Sequence, residues 1–294
     1  MANNTIFKGS IVAIVTPFNE DLSINYSKLE ELLNWHVSEG TDGIVILGTT
    51  GEASTLSKDE KLEVFRKTVE VINGRIPVIA GTGSNNTMET VSFSREVEAL
   101  GVDGLLIVTP YYNKANDKGF ITHYNMVADA VSLPIIVYNV PSRTACSLPV
   151  HVVKEISKHE RIVAIKEASS DLSYVAKVAS VVDKDFLIFS GNDDLVLPVL
   201  ALGGTGVISV AANVIPKVFH QMVEDFHNGD VSKAIETQVH YIEYINNLFL
   251  ETNPIPVKEY LNQMGKEVGG YRLPLCEPSD GVKEIITETL RKYS

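Results

Sequence analysis

Lys166 closes a strand-like apolar run, Ile162-Val163-Ala164-Ile165, in a chain of 294 residues. An ammonium held on such a run loses hydration. Its pKa falls, and the neutral amine becomes available as a nucleophile. A neutral amine adds to a ketone and, with loss of water, forms an imine. The protonated imine withdraws electrons and acidifies the neighbouring carbon, which gives aldol chemistry without a cofactor. Strict alternation along the run puts Lys166 on the same face as Ala164 and Ile162. Position alone leaves a second reading open, a lysine that reaches the rim or pairs with Glu167.

Four other groups sit at the ends of similar runs and bear on this choice. Tyr138 ends one run, where its phenol is either a proton shuttle or an ordinary rim tyrosine. Thr49-Thr50-Gly51 offers hydroxyls and turn N–H groups that could grip a carboxylate, or a turn with local caps. Arg143 follows a Pro-Ser turn, and its guanidinium is either a bidentate carboxylate ligand or half of a surface ion pair. Tyr111-Tyr112 lie just past a fourth run, where aromatic packing in a loop or interface is the plainer reading.

These residues must be positioned by something, and the chain repeats one pattern that can do it. A short Val/Ile-rich run ends in a polar residue, and an amphipathic stretch follows. The runs cover 10–18, 42–49, 76–82, 103–109, 133–139, 162–166, 186–190 and 206–209. Near-continuous apolar strands indicate a parallel sheet covered on both faces. Eight such units are the number that closes a (β/α)8 TIM barrel, whose active sites lie at the C-terminal strand ends. Residues 27–30 and 57–60 have capping-box spacing, and Asp171 and Asn213 are read as N-caps. A helix runs from about 58 to 73 and ends at Asn73-Gly74. Beyond residue 215 the pattern changes to helices alone, near 217–228, 231–251, 254–264 and 282–291. The division expected is a catalytic barrel over 1–228 and a C-terminal helical extension over 229–294. A doubly wound sheet would need a glycine-rich dinucleotide turn, and Gly81-Thr82-Gly83 lacks the third glycine.

The strand ends also exclude chemistries. His36, His123, His151, His159, His220, His227 and His240 all fall in helical stretches or their edges, so no metal site is expected. The glycine-rich segment 202–206 precedes the eighth run, on the wrong face for a phosphate site, and Gly191 alone is a weak phosphate signal. A carboxylate substrate fits better. Cys146 and Cys276 make neither a disulfide framework nor a zinc site. The net charge of −12 argues against nucleic acid or an anionic membrane as partner. No apolar run is long enough to span a bilayer, and residues 1–10 show no leader pattern, so a cytoplasmic location is expected.

Taken in order, six motifs resemble the dihydrodipicolinate synthase and N-acetylneuraminate lyase family of pyruvate-dependent class I aldolases, along essentially the whole chain. They are Gly48-Thr49-Thr50-Gly51-Glu52, Tyr111-Tyr112-Asn113, Tyr138-Asn139-Val140-Pro141-Ser142-Arg143-Thr144, Ile165-Lys166-Glu167-Ala168, Ser190-Gly191-Asn192-Asp193 and Gly206-Val207-Ile208-Ser209. The resemblance implies that Lys166 forms a Schiff base with pyruvate and that Tyr138 donates and accepts the proton. Thr49 would link Tyr138 to Tyr112, the latter reaching the site of an adjacent subunit. Thr50 would hold the pyruvate carboxylate, with Gly191 and the carbonyl of Ile208 lining the site. No cofactor is implied. The implied assembly is a homotetramer, a dimer of dimers. Thr49, where the lyases carry Ser, and Arg143, where sugar-acid lyases lack arginine, select L-aspartate 4-semialdehyde as the second substrate. N-acetylneuraminate lyase or 2-keto-3-deoxy sugar acid aldolase activity is the alternative.

One departure concerns regulation. Lysine-inhibited members of that family often carry His at the positions of Lys58 and Lys61, in an effector pocket whose other residues match Ala53, Ser54, Asn85, Glu89 and Tyr111. An ammonium at Lys58 would repel that of the effector, so weak or absent feedback inhibition by lysine is expected.

Overall fold

The computed structural model describes residues 6–293. The first five residues, part of the stretch 1–10 noted above, lie outside the described residues. Eight strands follow the expected runs: β1 Gly9–Ala13, β2 Gly43–Ile46, β3 Val78–Gly81, β4 Gly104–Val108, β5 Ile135–Asn139, β6 Ile162–Glu167, β7 Leu187–Ser190 and β8 Gly206–Ser209. They pair in sequence order, all parallel, and β8 pairs back to β1. The helices are α1 Tyr26–Ser38, α2 Lys58–Ile72, α3 Thr87–Glu98, α4 Asp117–Ala130, α5 Pro141–Thr144, α6 Val150–Ile156, α7 Leu172–Ala179, α8 Val196–Ala201, α9 Pro216–His227, α10 Val231–His240, α11 Ile242–Asn247, α12 Ile255–Gln263 and α13 Asp280–Lys292.

The strands are apolar on both faces because each face has its own core. Ile11, Val45, Ile79, Leu106, Ile136, Phe189 and Ile208 fill the barrel interior. Their neighbours Val12, Ile44, Ile46, Leu105, Val137, Ile165 and Val207 pack outward against the helices. Each fully buried side chain of this kind contributes roughly 1.5–3 kcal/mol. The seam between β8 and β1 requires glycine: a Cβ on Gly206 would lie 2.0 Å from the carbonyl oxygen of Gly9. Gly206, the last glycine of the segment 202–206, therefore serves barrel closure.

Several boundaries differ from the sequence reading. The first run, 10–18, leaves the ladder after Ala13 although Ile14, Val15 and Phe18 stay buried. The side chain of Asn213 takes over as ladder partner, accepting from Val15 N at 3.1 Å and donating to Ala13 O at 2.8 Å. Asn213 is thus not the N-cap of α9, which starts at Pro216 with Ile215 before it. β2 stops at Ile46 because Leu47 adopts a left-handed backbone, φ 55°. Ser27 does not cap α1. Asn25 does, accepting from Lys28 N at 2.9 Å. The box at Ser57 and Glu60 is formed, Asp171 caps α7, and Asn73 ends α2 at φ 46°. The stretch 231–251 is two helices, α10 and α11, separated at Tyr241, whose ring stacks on Tyr293 at 5.4 Å.

Candidate active site

The end of β6 carries the nucleophile, and its register is not the simple alternation expected. Ile135 of β5 pairs with Ile162, but Ile136 pairs with Ala164, so Val163 is an extra residue in β6. This bulge turns Ile162 to the outer core and puts Val163 and Ala164 inside. Such bulges re-aim the side chains that follow them. Lys166 shares the inner face with Ala164, not with Ile162.

Lys166 is buried and stands beside Tyr138 in the β5–β6 register, its Nζ 4.5 Å from the centre of the Tyr138 ring. Burial lowers the amine's pKa to about 8. The charge of Asp193 opposes the fall, and the Arg143 guanidinium adds to it. The pairing with Glu167 left open by the sequence does not form. Glu167 turns the other way, accepting from Asn139 Nδ2 at 2.7 Å and from Ser169 N at 2.6 Å. Burial pushes its carboxyl above the usual range despite those bonds. Tyr138 is also buried. Burial raises its phenol pKa, and Arg143 and the facing Thr49 hydroxyl moderate the rise.

Thr49 and Thr50 lie on one short helical turn, Thr49–Gly51, directly after β2. Thr49 is exposed to the mouth of a cavity of about 450 Å³, also lined by Tyr138, Arg143, Thr82 and Tyr111. Thr50 is buried behind it, its Oγ1 accepting from Asn253 Nδ2 at 3.0 Å. Arg143 sits on α5, which Pro141 starts, and its guanidinium donates to the Asn253 carbonyl at 3.0 Å. Gly191 follows β7 and donates to Glu167 O at 2.7 Å. A Cβ there would stand 2.6 Å from that of Ala168. Ile208 is wholly buried in the interior core alongside Tyr138 and Phe189. Tyr112 is not brought to Thr49 within the chain. It is 90 % exposed, with φ 65°, a strained backbone for a bulky residue.

Two residues of the site were given no role from the sequence. Asp193 is buried beyond Gly191, where its carboxylate accepts from Val210 N at 3.0 Å and Ala211 N at 2.9 Å. It thereby ties the β7 and β8 loops together. Asn253 lies in the extension, between Thr252 and Pro254, and holds both Thr50 and Arg143. Asp193 stood within a quoted motif. Asn253 carried no local signal, because its partners lie 203 and 110 residues away.

The effector pocket argument shifts as well. Lys58 is at the surface, bonded to Glu96 at 2.6 Å. It is Lys61 that lines the cavity, with Ala53, Ser54, Glu89 and Tyr111. Among the described residues no group of three or more His, Cys, Asp or Glu side chains could hold a metal ion, and no helix is long and apolar enough to cross a membrane.

Lys166 and Tyr138 thus stand at adjacent strand ends, and Tyr138 shares one cavity with Thr49 and Arg143. The sequence profile of the Dihydrodipicolinate synthetase family matches residues 6–293. The chain belongs to the dihydrodipicolinate synthetase family. It is 51% identical over 289 residues to a 4-hydroxy-tetrahydrodipicolinate synthase of Thermoanaerobacter sp. (strain X514), covering 98% of this chain and 97% of that one. The solved dihydrodipicolinate synthase of Aquifex aeolicus superposes with a TM-score of 0.96 at 41% identity, covering 98% of each chain. A structure described as the first monomeric dihydrodipicolinate synthase variant also superposes with a TM-score of 0.96, at 37% identity, covering 98% of this chain and 97% of that one. As a dihydrodipicolinate synthetase family member, the chain is an enzyme of the lyase-type class I aldolases.

Proposed function

We propose that this chain condenses pyruvate with L-aspartate 4-semialdehyde to give 4-hydroxy-tetrahydrodipicolinate, the committed step toward diaminopimelate and lysine. The observation that carries the reading is the buried Lys166 amine against the Tyr138 ring, at adjoining strand ends of the barrel. The neutral amine adds to the pyruvate ketone, and Tyr138 supplies the proton with which the carbinolamine loses water. The iminium then gives up a methyl proton to become an enamine. The enamine carbon attacks the aldehyde, and the substrate's own amine displaces Lys166 as the ring closes. Thr50 takes the pyruvate carboxylate and Arg143 that of the semialdehyde. Gly191 and the Ile208 carbonyl keep the wall near the lysine free of side-chain bulk.

Borohydride reduction in the presence of pyruvate, followed by mass mapping, tests the central step. A pyruvyl adduct on Lys166 is expected, and none after Lys166→Ala. A sibling aldolase of sugar acids would share Lys166 and Tyr138, so Arg143 decides between them. Arg143→Ala should cripple condensation in the coupled assay while leaving the borohydride adduct. Equal loss of both would count against the semialdehyde.

Three further parts belong to this reading. The exposed, strained Tyr112 fits a role in a neighbour's site, completing the Tyr138–Thr49–Tyr112 relay in a homotetramer made of two tight dimers. The structural likeness to a variant described as monomeric makes sedimentation velocity on this chain informative; a monomer retaining full activity would remove Tyr112 from the relay. Barrel residues 1–228 carry the chemistry and the extension 229–294 braces it, in a cytoplasmic enzyme. Free lysine inhibits weakly or not at all, since the half-buried Lys61 ammonium lines the pocket where a second ammonium would have to enter. Half-maximal inhibition below about 1 mM lysine would contradict this.

A further inference from the structure

Asn253 is 6% exposed and meets the site in two ways. Its side-chain Nδ2 donates to Thr50 Oγ1 at 3.0 Å, and its backbone carbonyl accepts from the Arg143 guanidinium at 3.0 Å. A threonine hydroxyl has one proton to give and can accept from others, whereas an amide NH2 only donates. Once Thr50 accepts from Asn253, its own proton must go elsewhere. Among the described residues no hydrogen bond takes it up. Thr50 is thus held as a donor, and a carboxylate, which only accepts, is the matching ligand.

We propose that Asn253 is a positioning residue for pyruvate: its amide fixes the polarity of the Thr50 hydroxyl so that this hydroxyl donates to the pyruvate carboxylate. The inference rests on the reading of Thr50 given above. Arg143 is gripped by the main chain at the same residue, so replacing the Asn253 side chain leaves that contact in place. Side chain and carbonyl therefore serve the two substrates separately, and the kinetics should separate them too.

The test is steady-state kinetics on the full-length enzyme with both substrates varied, alongside borohydride trapping titrated with pyruvate. Asn253→Asp is nearly isosteric but reverses the bond, since its carboxylate takes the Thr50 proton and adds a negative charge. It should raise the KM for pyruvate, and the pyruvate needed for half-maximal trapping, by more than about 10-fold; Asn253→Ala, which only removes the bond, should raise both by roughly 3- to 10-fold. The KM for the semialdehyde should stay within about 2-fold in either variant, Arg143 keeping its partner. A pyruvate KM unchanged in Asn253→Asp would show that pyruvate binding does not depend on the polarity set at position 253, which overturns the proposal. So would a parallel rise in both KM values accompanied by a lowered Tm, which marks a structural role alone. Thr50→Val separates the two levels. If it leaves the pyruvate KM unchanged, the reading of Thr50 fails and the proposal with it. If it raises that KM while Asn253→Asp does not, only the proposal fails.

Discussion

Lys166 reacts as a neutral amine, so its ionisation should govern the approach of pyruvate. Burial sets its pKa near 8, against an Asp193 charge that favours the ammonium. Below that value the amine is mostly protonated and cannot add to a ketone. Above it the nucleophile is in hand. The rate of adduct formation with pyruvate should therefore rise with pH and level off above about 8. Pre-steady-state trapping across pH checks this, and a limb still rising toward the ordinary lysine range would show that the amine is not desolvated. Asp193→Asn should move the limb to lower pH, because the opposing charge is gone. At this scale the sequence was highly legible. Lys166 and Tyr138 lie at strand ends, and Thr49 and Arg143 on the short helical turns that follow strands, so periodicity placed all four while the resemblance supplied their roles. The identity of their hydrogen-bond partners could not, because Asn253 and Asp193 act through contacts between loops far apart in the chain.

At the scale of elements, the ends of β6 and β7 must pack closely beside Lys166. Gly191 permits this: its N–H bonds Glu167 O, and its missing Cβ leaves room for Ala168. Gly191→Ala would drive two Cβ atoms to 2.6 Å. Overpacking of this kind costs about 1–3 kcal/mol, so the variant should melt at lower temperature and turn over more slowly. A second change, Ala168→Gly, should restore much of both. If Gly191→Ala alone matches the native Tm, the loop has more freedom than its geometry implies. The reasons why some elements were misread are local. Asn213 has the residue type of an N-cap but spends its amide on Ala13 O at the end of β1 and on Val15 N just beyond it. Ser27 has capping-box spacing but is the second residue of a helix that Asn25 already caps. The bulge at Val163 left no mark in the apolar run, since Ile162, Val163 and Ala164 suit either core.

For the whole molecule, the question is what fixes the extension against the barrel so that Asn253 arrives at Thr50. Lys258 of α12, five residues beyond Asn253, donates to Glu52 of the β2 loop at 2.8 Å, and both side chains are fully buried. Glu52 also accepts from Arg272 N at 3.2 Å, and Lys258 also donates to the Gly270 carbonyl and lies 4.2 Å from the Phe18 ring centre. The pair was invisible in the sequence because 206 residues separate its members, and a lysine within a helix reads as surface. Removing one member of a buried pair strands the other charge, at a cost of about 3–5 kcal/mol. Glu52→Gln and Lys258→Met should each lower the unfolding free energy by that amount and raise the KM for both substrates, since Thr50 and Arg143 lose their common brace. Replacing both, as Glu52→Leu with Lys258→Met, leaves no charge stranded and should recover most of the stability, less the bonds to Arg272 N and Gly270 O. Thermal and urea unfolding of the two singles and the double check this. If the double falls as far as the sum of the singles, the pair is not one interaction, and the extension is held to the barrel by its apolar contacts.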